Sequence, residues 1–134
     1  MSLERFVRAQ EGTYDRALAE LQRGRKDSHW MWFVFPQLAG PGRSEAARFY
    51  AIDGLEEARA YLAHPVLGPR LHEATAAVTA APGSAEAVLG PVDAVKLRSS
   101  MTLFEAAADD PARFRAALDR FFGGKRDPET TRRL

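Results

Sequence analysis

The chain has 134 residues, 46% apolar and 28% charged, which is the length of one ordinary domain and the composition of a globular protein. It contains no cysteine, which excludes disulfides, a thiolate nucleophile, a zinc-finger cluster and an iron–sulfur centre. Nineteen basic against eighteen acidic residues leave a formal charge of +1, too little for a field that gathers nucleic acid or an anionic membrane surface.

The opening Met1-Ser2-Leu3-Glu4-Arg5 puts charge where a signal peptide needs an apolar run, and no stretch approaches the ~18–20 apolar residues of a bilayer span. A cytoplasmic protein without membrane association is expected. A short helix is predicted near 3–9. An amphipathic one follows over 13–23, where Tyr14, Ala17, Leu18 and Leu21 recur at helical spacing and Gly24 can end the element. The segment 28–35 is predicted as a helix starting at Ser28. Six successive apolar residues from Trp30 to Phe35 leave it no polar face, so it should be buried nearly all round, and Pro36 ends it.

Ser44 is a candidate N-cap for a helix over 44–50. Asp53, three residues before Glu56, reads as a capping box for one over 54–62 carrying Leu55, Ala58 and Leu62. Leu67, Leu71, Ala74 and Val78 mark a helix over 65–80, and Ser84 opens a short one over 84–89. After Gly90 a long helix is predicted over 91–107. Asp110-Pro111 and Asp127-Pro128 each place a capping carboxylate before a proline at the first helical position, predicting helices over 111–122 and 128–133. No segment alternates apolar and polar residues long enough for a half-buried strand. The expected architecture is all-α: one compact orthogonal domain over 1–134 of about eight to ten short helices, with little or no sheet.

Three segments have the residues for chemistry. In the first, His29 and Gln37 flank the aromatic run, and Trp30 and Trp32 are either core or the walls of a cleft. In the second, Leu38 to Ser44, two glycines, the Arg43 guanidinium and the N–H groups after Ser44 suit a phosphate or carboxylate. An ordinary loop with a capping serine is the simpler reading, and Tyr50 adds a hydroxyl nearby.

The third lies on the long helix. Leu97, Met101, Phe104 and Ala108 share one stripe there, and Val92, Val95, Ser99 and Thr102 lie nearly opposite, so two faces are expected to be buried. Lys96 and Ser100 occupy the sector between, with Asp93 one turn before Lys96. The lysine either serves a site or simply pairs with Asp93 while the serines bond back to the helix. Ser99-Ser100 shows no base or orienting acid in its local sequence. His29, His64 and His72 have no metal-ligand spacing, so neither a metal nor a cofactor is implied. The mildly basic tail from Gly124 reads as a solvated terminal helix, or as a segment that closes over a pocket.

These segments, in this order, resemble a bacterial family known as domain of unknown function 1810. The likeness is carried by Phe6-Val7 with Ala9-Gln10, Ser28 to Leu38, Arg43-Ser44, Tyr50-Ala51-Ile52, Glu57 to Leu62, His64 to Gly68, Lys96 to Phe104, and Asp127 with Thr130. It implies a small, predominantly helical domain and supplies no reaction. Relatives sometimes carry the label calpastatin, but a disordered, repeat-rich calpain inhibitor does not fit this aromatic sequence. A fainter likeness, in layout alone, is to the NADAR family of helical enzymes acting on N-glycosidic bonds of ADP-ribose-like compounds; none of its catalytic acids can be placed here.

The leading expectation is a pocket between the tryptophan helix and the Lys96 helix that binds, and is a candidate to act on, a small polar or phosphorylated, nucleotide-like molecule. Trp30 and Trp32 would form its wall. His29 would move a proton, Lys96 and Arg43 would contact an anion, and Ser99, Ser100, Thr102, Ser44, Tyr50 and Gln37 would offer neutral hydrogen bonds. The rival is a noncatalytic interaction domain whose aromatic run is solely core. Nucleic-acid binding is disfavoured by the charge, and no protein partner is indicated.

Overall fold

The computed structural model describes residues 2–40 and 44–134. Among these are α1 (Glu4–Gln10), α2 (Tyr14–Arg23), α3 (Met31–Val34), α4 (Glu45–Phe49), α5 (Leu55–Ala63), α6 (Leu67–Ala80), α7 (Ala85–Leu89), α8 (Pro91–Ala107), α9 (Ala112–Phe122) and α10 (Pro128–Arg133). The fold is all-α. One parallel bridge, between Leu38 and Ile52, is the extended pairing among the described residues. Among the described residues, no helix is long and apolar enough to cross a membrane.

Two helices organise the rest. α8 packs against α5, α7, α9 and α10, and α6 packs against α2, α5 and α9. The apolar stripe of α8, with Leu97, Met101 and Phe104 fully buried, meets Tyr61 of α5 and Phe114 of α9. The rings form a continuous run through the interior: Phe6 against Tyr61 at 5.2 Å, Tyr61 against Phe104 at 5.4 Å, and Phe104 against Phe114 at 5.9 Å between centroids. Offset and edge contacts of this kind add to the area-driven gain of burying aromatics. Gly68 lets α6 start hard against α5, since a Cβ there would stand 2.1 Å from the Leu62 carbonyl oxygen.

Helix ends follow the local chemistry. The hydroxyls of Ser44 and Ser84 accept from the Ala47 and Ala87 N–H groups, and the Asp127 carboxylate accepts from the Thr130 N–H. Gly24 closes α2 at φ 81°. Three helix starts differ in their chemistry from expectation. Pro111 is itself the N-cap of α9, which begins at Ala112, and the Asp110 carboxylate accepts from the Ala112 N–H at 3.1 Å. The aromatic helix begins at Met31 rather than Ser28, because the N–H groups of Asp27 and Ser28 and the Ser28 hydroxyl all turn to the Glu20 carboxylate at 2.7, 3.0 and 2.6 Å. That side chain takes the donors that would otherwise open a helical turn. At α5, Glu57 rather than Glu56 receives the Asp53 N–H, at 2.7 Å, and the Asp53 side chain makes no cap.

The second face of α8 is also only partly buried. Thr102 is covered and Ser99 half-covered, but Val92 and Val95 are 68% and 65% exposed, so the start of that face is open. The tail is less solvated than its composition suggests, since α10 packs on α8 and buries Thr130.

Candidate functional site

The chain between α3 and α5 sets one wall of a cleft. Pro36 stops α3, and the next residues pair with those after α4: the Ile52 N–H donates to the Gln37 carbonyl and the Ala39 N–H to the Ile52 carbonyl, both at 2.8 Å. Arg5 reinforces the second strand of this pairing, donating to the Phe49 and Ala51 carbonyls at 2.8 Å and reaching Glu57 at 3.4 Å. The opposite wall comes from Ser99 of α8 and from α10. Between the walls lies a cleft of about 280 Å³, bordered by Trp32, Gln37, Tyr50, Ser99, Asp127 and, at α4 and α10, Arg48 and Arg133. That is the lower end of the size range for small-molecule sites.

Its polar groups are not self-satisfied. The Gln37 Nε2 is buried and has no acceptor among the described residues. Such a group costs free energy until something accepts from it. Asp127 is the N-cap of α10 and meets α8 through Ser99 and Thr102. One of its oxygens, Oδ2, accepts from the Ser99 hydroxyl at 2.9 Å, the Thr130 hydroxyl at 2.6 Å and the Thr130 N–H at 3.2 Å. Burial alone would push this carboxyl up, but the Thr130 and Ser99 donors, with Arg98 nearby, outweigh it and hold it below the usual carboxylate range. Glu129, also at the cleft, is held down by its hydrogen bond from Arg132 and by the charges of Arg132 and Arg133. Both carboxylates are therefore ionised at neutral pH.

Of the residues singled out from sequence, Trp32, Gln37, Tyr50 and Ser99 border this cleft together. The others lie elsewhere. Trp30 is buried and donates its indole N–H to Glu20 at 2.9 Å, so it belongs to the core and not to a wall. His29 is exposed on the bend before α3 and does not border the cleft. Lys96 sits behind it, its ammonium 4.2 Å from the Trp32 ring centre and 3.2 Å from Asp93, which also pairs with Lys26 at 3.0 Å. The local pairing with Asp93 is thus the arrangement adopted.

Ser44 is engaged as the cap of α4. Ser100 is fully buried with an unpartnered hydroxyl. Thr102 donates to the Arg98 carbonyl at 2.7 Å and accepts from the Asp127 N–H at 2.9 Å, which anchors α10 without reaching the cleft. Arg43 lies outside the described residues.

Sequence reasoning offered the tail as a segment that closes over a pocket but did not single out Asp127, Glu129, Thr130 or Arg133, which border the cleft. Asp127 was legible as a helix cap, and Ser99 as a hydroxyl without a local acid; that the two meet across 28 residues has no local signal. It also missed Glu20, whose position inside the α2 stripe makes it buried, and which gathers four donors around Trp30.

The model of the family described as "Protein of unknown function (DUF1810)" matches residues 1–134, the whole chain. The chain belongs to this family. Among solved structures, the DUF1810 chain is similar to the conserved hypothetical protein Rv1873 from Mycobacterium tuberculosis, at 52% identity and a TM-score of 0.96, over 98% of this chain and 95% of that one. No curated protein matches it. The α10–α8 cleft is accordingly read from its own chemistry.

Proposed function

We propose that the cleft bordered by Trp32, Gln37, Tyr50, Ser99 and Asp127 binds a small polar or phosphorylated, nucleotide-like molecule. The observation that carries this reading is the cleft itself, about 280 Å³ between α4, α8 and α10, with the Trp32 indole, the Tyr50 ring and the Asp127 carboxylate on its border. Arg48 and Arg133 at the rim supply guanidinium groups suited to a phosphate.

Binding is better supported than N-glycosidic cleavage. Protonating a leaving group calls for a neutral acid, whereas Asp127 and Glu129 are both held ionised and His29 is remote. Thermal-shift titration with nucleoside monophosphates and ADP-ribose tests the reading. A saturable rise in Tm that Gln37→Met abolishes is expected. Uniform absence of a shift overturns it, and then favours the interaction-domain alternative, for which the exposed pair Val92 and Val95 is the relevant surface.

A further inference from the structure

The segment 125–134 is fixed to the molecule by different means from α8 and α9. α9 buries Phe114, Ala117 and Leu118, and α8 buries Leu97, Met101, Leu103 and Phe104. In α10 only Thr130 is buried, and Leu134, the one large apolar side chain of the segment, is 40% exposed. Its attachment to α8 is polar. Arg98 donates to the Lys125 and Arg126 carbonyls at 2.9 and 2.8 Å, and Arg126 donates to Glu105 at 2.7 Å. The Asp127 N–H donates to the Thr102 hydroxyl, and the Ser99 hydroxyl to the Asp127 carboxylate, both at 2.9 Å. When contacts of this kind open, water replaces the lost partners, so each resists separation only modestly. Apolar burial, for which water offers no substitute, is nearly absent.

The joint to α9 suits movement as well. Gly123 and Gly124 lie at φ 61° and 76°. Glycine passes between such angles and the negative φ of an ordinary chain without a Cβ penalty, so two adjacent residues can redirect everything beyond them. What lies beyond is a wall of the cleft, since Asp127, Glu129, Thr130 and Arg133 border it.

We infer that the segment 125–134 is a hinged wall: it swings from α8 about Gly123 and Gly124 as one unit, while the other helices stay packed, and so gates entry to the cleft. The opening breaks the contacts with Arg98, Ser99, Thr102 and Glu105 and none of the aromatic contacts that run from Phe6 to Phe114. A molecule that touches both walls binds the closed arrangement alone and holds it shut. The opening itself takes place in the free chain, whatever the cleft binds, so it stands apart from the binding reading above.

Hydrogen exchange of the full chain without ligand, followed amide by amide by NMR at neutral pH, tests this. Corrected for the rates of an unstructured chain, the amides of Asp127, Thr130 and Thr131 should exchange about a hundredfold or more faster than those of Leu71 in α6 and Phe104 in α8. Because one opening exposes all three, their protection should agree within about threefold. Arg98→Ala, which removes two of the contacts, should speed the three tail amides by about tenfold and leave Leu71 and Phe104 unchanged. If that variant fails to fold, Thr102→Val carries the test, with the same selective acceleration expected. Tail amides that exchange in step with Leu71 and Phe104 overturn the hinged wall, as does an acceleration shared by the whole chain. A protection that falls steadily from Asp127 to Thr131, the mark of an end that frays, overturns it too. Each of these results leaves the cleft as a fixed site, whereas failure of every nucleotide to raise Tm overturns the ligand site and not the opening.

Discussion

Trp30 and Trp32 are two residues apart and sit in opposite kinds of environment. Around Trp30, the Glu20 carboxylate takes the indole N–H, two backbone N–H groups and the Ser28 hydroxyl, and Glu20 and Trp30 are both buried. Around Trp32, the Gln37 Nε2 has no acceptor and one Asp127 oxygen no donor among the described residues, and both residues border an open cleft. The same aromatic segment therefore serves stability on one side and leaves unspent hydrogen-bonding capacity on the other. A satisfied buried network fixes structure, whereas an unsatisfied one at a cleft is tolerated where a ligand completes it.

The comparison breaks most readily at Glu20. Burial raises its carboxyl, but the donors from Ser28, Asp27 and Trp30 together lower it from 4.5 to about 2. A depressed folded-state value means stability fully present above about 4.5 and lost as pH falls toward 2, worth about 3 kcal/mol at neutral pH. Glu20→Ala should cost about 3 kcal/mol or more in urea unfolding at pH 7, because four donors lose their acceptor. The gap between wild type and Glu20→Gln should narrow between pH 4.5 and 2. A gap that stays constant through that range would show the node to be mere packing. Asp127 and Glu105 titrate in the same direction and add to the acid sensitivity of the wild type.

Asp127 comes next, since it belongs to both regimes. Asp127→Ala removes the α10 cap and the Ser99 partner and should cost about 1 kcal/mol by chemical denaturation, with Asp127→Asn costing less. Equal costs for the two would mean that the cap contributes little and that α10 is held mainly by Thr102 and by Arg98, which donates to the Lys125 and Arg126 carbonyls.

The smallest stability effect, and the sharpest contrast with Glu20, is expected at Gln37. Replacing an unpaired buried amide by an apolar side chain of similar length relieves an unmet hydrogen bond, so Gln37→Met should leave stability unchanged or raise it by up to about 1 kcal/mol. A loss above about 1 kcal/mol by the same denaturation measurement would mean that the amide is structural after all, and the contrast between the two tryptophans would collapse.

The α helices from 13–23 through 128–133 were legible because their information is local: apolar spacing, capping side chains, and prolines and glycines at the ends. Where the aromatic helix begins was not, since a side chain from α2 claims the donors of the preceding turn, and an acid buried inside an apolar stripe leaves no periodic trace. Trp32, Gln37, Tyr50 and Ser99 could be singled out by residue type, but type alone also singled out Trp30, Ser100 and His29, which lie away from the cleft.

The sequence by itself determined an all-helical chain, its boundaries to within a turn at nearly every element, and its membership of one family, because each rests on residues near one another in the chain or on the ordered string of motifs. Only the tertiary structure decided that the tail returns to α8, that Asp127 meets Ser99, that Lys96 lies behind Trp32 and that Gln37 is left unpaired. Those pairings join residues many turns apart, and the sense of a hydrogen bond between them is set by packing, which no local pattern encodes.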